Sequence, residues 1–209
     1  MITFTFNFCT TEQKNGIEYG NNEKSVNPNF TVQNKLSDDP NFIELIKEMK
    51  SFENLINATT KKNNLSINDV QLKLNELSNK NLDYDLQLNE VNKIFKSNVT
   101  KSYINHVKSF NENWYAVKVK YPKITLNDIQ EGCVDVMDKA YVNTGGDGCD
   151  GWRFGLCAAA ATAGAILCHA GCDTTALATT AGLGIPACIW LCGTIQVAAI
   201  VSCGDSYCP

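Results

Sequence analysis

Eight of the ten cysteines lie in residues 149–208, and their spacing is close to a palindrome. Fifteen residues separate Cys172 from Cys188. Each then steps by C-x3-C to a further cysteine, Cys168 or Cys192, and beyond each lies a ten-residue gap, to Cys157 or Cys203. Residues facing each other across an antiparallel hairpin have numbers with a constant sum. The pairs Cys172/Cys188, Cys168/Cys192 and Cys157/Cys203 all give the same sum, and Cys149/Cys208 falls three short of it, as an outer closure would. On a helix, a step of four residues turns by roughly 400° and a step of eleven by roughly 1100°, so both return to nearly the same face. Cys157, Cys168 and Cys172 therefore stripe one helix, and Cys188, Cys192 and Cys203 stripe another.

Joining such stripes demands a close approach. Disulfides hold Cα atoms about 5.5–6 Å apart, whereas helices usually pack at roughly 8–10 Å. Ala161, Gly164, Ala165, Gly171, Ala187, Gly193 and Ala199 are the small residues available at the seam, and the turn spans residues 173–184, with Gly182, Gly184 and Pro186 at its end. Two other chemistries compete with disulfides. A zinc site is disfavoured because structural zinc cysteines usually sit on loops and knuckles. His169, beside Cys168, also points about 100° away from the stripe. Thioether bridges to Thr174, Thr175, Thr179 or Thr180 are the other alternative. The leading expectation is a disulfide framework without metal, which implies an oxidising compartment.

The hairpin has no polar face. Residues 154–204 carry one formal charge, Asp173. A helix apolar all round is buried in protein or lies in a membrane, and each apolar stretch sits near the lower length limit for spanning a bilayer. A crosslinked hairpin can fold as a unit and then engage a membrane or a partner through its outside. Trp152, Phe154, Ile189 and Trp190 are the candidates for membrane contact, with packing against the N-terminal half as the competing role.

That N-terminal half reads as amphipathic helices. Asp39-Pro40 is an N-cap followed by proline at the first helical position, opening a stripe of Phe42, Leu45, Ile46, Met49, Phe52 and Ile56. Further helices start at Ser66, near Asp83, after Thr100 and at Thr125, while residues 116–121 also allow a short strand and Tyr121-Pro122 breaks the chain. Glu44, Glu48 and Glu53 read as a solvated face, and His106, one position before Val107, reads as a surface histidine. The expected organisation is all-α: residues 1–38 an export-related start and flexible tether, 39–142 a helical bundle, 143–148 a Gly-rich hinge, and 149–209 the disulfide-stapled antiparallel helical hairpin.

Several functions are disfavoured. A net charge of −4 gives no basic footprint for nucleic acid. The two histidines and the lack of a catalytic constellation argue against an enzyme, and Cys133, on an apolar stripe, reads as a buried inert thiol. No cofactor is implied. The apolar run ending at Phe8, then Cys9 and a polar stretch, looks like the end of a bacterial lipoprotein signal, with Cys9 as the lipidated residue and a start codon upstream; an ordinary soluble N-terminus with a stray cysteine is the competing reading. Gly145-Gly146 matches the double glycine after which some bacteriocin leaders are cut, which would make a processing protease a partner.

The run Cys157-Ala-Ala-Ala-Ala-Thr-Ala-Gly-Ala-Ile-Leu-Cys168-His-Ala-Gly-Cys172, then Gly182-Leu-Gly-Ile-Pro-Ala-Cys188, then Cys192 and Cys203, resembles the halocin-type cysteine-rich bacteriocin domain. The resemblance covers residues 149–208. It implies a secreted bacterial antimicrobial peptide that acts on the membranes of competing cells, with the N-terminal region as pro-segment or self-protection. The alternatives are a surface-anchored lipoprotein or binding module of unknown ligand, and an integral-membrane helical hairpin.

Overall fold

A computed structural model describes residues 35–141, 150–174 and 185–208; among them are seven α-helices and no strand. The helices are α1 (Pro40–Lys62), α2 (Ile67–Ser78), α3 (Tyr84–Phe95), α4 (Thr100–Lys120), α5 (Leu126–Tyr141), α6 (Gly151–Thr174) and α7 (Pro186–Tyr207).

Local chemistry sets most of these starts. Asp39 caps α1 by accepting hydrogen bonds from Asn41 N (2.9 Å) and Phe42 N (3.2 Å), and Pro40 removes a donor that would have no intrahelical partner. Lys120 Nζ at the end of α4 donates to the same carboxylate at 2.6 Å, so one buried aspartate pins two helix ends. Burial alone would raise the Asp39 pKa, but the Lys120 and backbone hydrogen bonds outweigh it and hold the carboxyl below its ordinary value. Ser66 and Asp83 cap α2 and α3. At α5, Asp128 N donates to Thr125 Oγ1 and Thr125 N donates back to Asp128 Oδ2, a reciprocal capping box. The strand considered at residues 116–121 is absent. The segment continues α4 instead, with Val117 fully buried on its stripe and Val119 exposed.

Helices α6 and α7 pack closely, and α1, α2, α3 and α5 pack against them. Helix α5 lies on α6, α2 and α3 lie on α7, and α1 touches both. One core cluster unites the second half of α1 with α2, α3 and α7, and a second unites the first half of α1 with α4, α5 and α6. Hydrophobic contact therefore crosses the expected boundary between bundle and hairpin, and residues from Lys35 onward form one compact unit. The hinge at 143–148 and the tether up to residue 34 lie outside the described residues. The last residues assigned to the tether are ordered instead: Leu36–Asp38 form a 3-10 turn with Ser37 buried, its hydroxyl donating to Asp135 at 3.2 Å.

The tightest joint between α1 and α7 is Gly193. A Cβ placed there would lie 2.6 Å from both Ile56 Cδ1 and Phe52 Cε1. The residue expected to thin the disulfide seam thus lets α1 approach instead. At Gly171, another of the small seam residues, a Cβ would meet nothing within 4 Å. In an unencumbered helix, glycine to alanine gains up to about 1 kcal/mol. Here the overpacking reverses the sign. Gly193→Ala is expected to destabilise the chain by about 1–3 kcal/mol, read as a lower denaturant midpoint; an unchanged or higher midpoint would show that α1 yields freely.

Candidate functional site

The site grows from the facing cysteine stripes. Helix α6 brings Cys157, Cys168 and Cys172 to one side, and α7 brings Cys203, Cys192 and Cys188 opposite them. The bonds are Cys157–Cys203, Cys168–Cys192 and Cys172–Cys188, with Cα–Cα distances of 5.8, 5.7 and 5.8 Å. The mirror pairing is thus disulfide chemistry on an antiparallel hairpin. Cys208 is disulfide-bonded too; Cys149, its expected partner, and Cys9 lie outside the described residues. Next to the outer rung the hairpin ends are joined by Asp150 N donating to Tyr207 O at 2.8 Å. Asp150 also caps α6 through Arg153 N (3.1 Å).

Behind the rungs lies a column of rings contributed by five helices. Trp190 of α7 sits between Phe95 of α3 (centroids 4.5 Å) and Phe52 of α1 (4.7 Å). Phe52 in turn stacks on His106 of α4, with centroids 3.8 Å apart and planes 4° from parallel. His169 of α6 meets the His106 ring edge-on at 5.2 Å and the Phe110 ring at 5.3 Å. His106 is therefore a core residue and not a surface one. The signal was present: residues 103, 106, 107 and 110 follow the spacing of a buried helical face, and His106 lies on it beside Tyr103, Val107 and Phe110. Glu53 departs from the solvated reading for the same reason. It shares a face with Met49, Phe52 and Ile56, is 3% exposed, and is held by Lys50 Nζ at 2.9 Å. Glu48, read as solvated as well, accepts from His106 Nδ1 at 2.7 Å.

The four membrane-contact candidates separate into two pairs. Trp152 is 59% exposed and Phe154 is half-buried, at the end of the hairpin near the Cys157–Cys203 rung, where Leu156 and Val201 are exposed as well. Ile189 and Trp190 are buried in the shared core. In this fold Trp190 meets Phe52 of α1 and Phe95 of α3, and neither residue of the pair reaches the outside. Both hairpin helices are long and apolar enough to cross a membrane, with mean hydropathy of 1.5 and 1.8, yet half of each apolar window is buried inside the chain. Core helices of soluble proteins meet the same criterion. Cys133 is wholly buried in the core under α6, and burial pushes its pKa up to about 12, so it stays a thiol.

The two imidazoles make this seam sensitive to pH. Burial pushes His169 down to about 3, helped by the neighbouring His106, against the opposing hydrogen bond from Nδ1 to Ala165 O (2.8 Å). Burial also lowers His106, with Glu48 opposing. Neither Nε2 has a hydrogen-bond partner among the described residues. His169 is neutral in the fold down to about pH 3, and His106 holds a proton less readily than an ordinary imidazole, while the unfolded chain protonates both below an ordinary value near 6.5. Between that value and the folded one, the unfolded state binds more protons. Stability is thus complete above about pH 6.5 and falls by roughly 1.4 kcal/mol per pH unit below it for each fully shifted histidine. Denaturant midpoints measured from pH 6.5 to 4.5 are expected to fall accordingly, and His169→Phe is expected to flatten the slope whatever it does to stability at pH 7. An equal slope in that variant would remove His169 as the cause. Compared with protein families, with curated proteins and with solved structures, the chain matches none.

Proposed function

We propose that the chain is the exported precursor of a bacteriocin-like antimicrobial peptide, whose disulfide-laddered hairpin acts on target-cell membranes once freed from the helices that cover it. One observation carries this reading: an almost uncharged, internally crosslinked helix pair is packed against α1, α2, α3 and α5 of its own chain. Such a surface needs a cover in water, because buried apolar area is worth about 25 cal/mol per Å². A bilayer offers an equivalent cover. The rungs let α6 and α7 leave as one body with their register intact, so little ordering entropy remains to be spent at the membrane.

In this reading α1–α5 are the self-protecting partner, and a cut in residues 143–148, where Gly145-Gly146 lies, releases the hairpin. Trp152 is exposed beforehand and makes the first contact. Ile189 and Trp190 become available only on separation, when they exchange the α1 and α3 side chains for lipid. The second reading is an exported surface module, anchored through Cys9, whose hairpin is simply its core. The complete burial of Trp190 favours that alternative.

Dye-loaded vesicles of phosphatidylglycerol separate the two. The full chain, with residues 143–148 replaced by a site for a specific protease, is expected to leave vesicles intact before the cut and to release dye after it. A cut chain that stays associated and releases no dye would overturn the membrane reading in favour of the surface module.

A further inference from the structure

The two inner rungs are adjacent, and their sulfurs form one cluster. Cys172 Sγ lies 3.5 Å from Cys192 Sγ, although each is bonded to a different cysteine. The Sγ atoms of Cys168, Cys172 and Cys192 all lie within 4.8 Å of one another, and Cys188 joins them through its bond to Cys172. Three sulfurs from two C-x3-C steps thus lie together between two helices, and the fourth, Cys188 Sγ, sits at their edge on its bond to Cys172. Along each helix the step of four spans about 6 Å of rise, and across the rungs the Cα atoms are 5.7 and 5.8 Å apart. The four backbone positions form a nearly square frame.

We propose that, with these two rungs reduced, the chain binds one thiophilic closed-shell cation, Zn2+ or Cu+, through Cys168, Cys172, Cys188 and Cys192. Tetrahedral zinc with Zn–S bonds of about 2.3 Å sets its sulfurs roughly 3.8 Å apart. The non-bonded Cys172–Cys192 contact already has nearly that spacing, and breaking each rung lets its two sulfurs part to it by side-chain rotation. The frame does not depend on the rungs alone. Cys172 and Cys192 are 2% exposed and belong to the core built with α1, α2 and α3, while Cys168 and Cys188 pack at its edge. Those two residues are only partly buried, so the metal's way in lies on their side of the frame.

The chemistry balances through a dithiol reductant. Each rung takes two electrons and two protons from one dithiol, which closes to its own disulfide, and yields two thiols. Metal binding then releases the thiol protons to solvent. Soft sulfur donors select Zn2+ and Cu+ over harder ions. The site is therefore exclusive with the oxidised ladder: the same sulfurs either crosslink the hairpin or hold a metal. The outer rung, Cys157–Cys203, stands eleven residues away along each helix, about 16 Å, and takes no part.

The test titrates Zn2+ alone into the full chain, oxidised or fully reduced, under anaerobic conditions, with native mass spectrometry and far-ultraviolet circular dichroism as readouts. One Zn2+ per chain is expected in the reduced protein and none in the oxidised protein. Co2+ in place of Zn2+ is expected to show the absorption of a tetrahedral four-thiolate site. Cys172→Ser with Cys192→Ser is expected to abolish stoichiometric uptake, while Cys157→Ser with Cys203→Ser keeps it. If reduction melts helicity, added Zn2+ is expected to restore it. Failure of that recovery, absence of uptake by a helical reduced chain, or uptake that survives the inner double substitution would each overturn the site.

Discussion

The 5.7–5.8 Å approach of α6 and α7 at the three rungs governs the rest of the structure. Two helices that close leave no room for large side chains between them. Their bulky residues, Trp190, Ile189 and Ile166 among them, are therefore buried on other faces. Since neither helix has a polar side, those faces need cover, and α1, α2, α3 and α5 supply it. The arrangement runs from crosslink spacing to small residues at the seam, and from there to a hairpin that is apolar on its outside. The surrounding helices share both core clusters with the hairpin.

Their grip on the hairpin differs in kind from the rungs. It consists of ring stacking, aliphatic contact and a few backbone-directed side chains. Gln71 Nε2 donates to Thr194 O at 2.9 Å, and Gln87 Oε1 lies 3.4 Å from Ala187 N, next to the start of α7. Asn63 Nδ2 similarly donates to Phe95 O at 2.7 Å, closing the α3 end onto α1. Such contacts specify position without covalent commitment. The column from Phe95 through Trp190 and Phe52 to the histidines is the part on which all five contributing helices converge, and Gly193 is the position that admits Phe52 to it.

Much of this was legible in the chain itself. The constant sum of the mirror cysteines identified three rungs and the antiparallel sense, because a disulfide between helices allows little tolerance in register. Asp39, Ser66, Asp83 and Thr125 marked helix starts because capping is local chemistry. What escaped depends on packing between segments remote in sequence. His106 and Glu53 lie on buried faces that a polar residue disguises, and a rule that counts only apolar residues passes over them. Trp190 reads equally well as a membrane anchor or a core residue, since both environments exclude water. The expected division near residue 143 followed a change in composition, and a change in composition need not coincide with a break in the core.

Crosslinks and core packing also respond to different conditions. In the chain-entropy account, closing loops of the observed separations, 46, 24 and 16 residues, contributes roughly 3–4 kcal/mol each if taken singly, and less in total because the loops are nested. All of that stabilises the hairpin against its own unfolding. Among the described residues none of the three rungs joins a hairpin helix to a covering one, so their contribution does not oppose separation of the hairpin from α1–α5. Acid acts on the other term: protonating His169 or His106 places charge in the column between the two bodies, while the rungs remain intact. Reduction loosens the hairpin and leaves the column formally untouched. The sulfurs and the imidazoles thus place two sensitivities in different parts of the fold, the rungs within the hairpin and the rings between it and the helices that cover it.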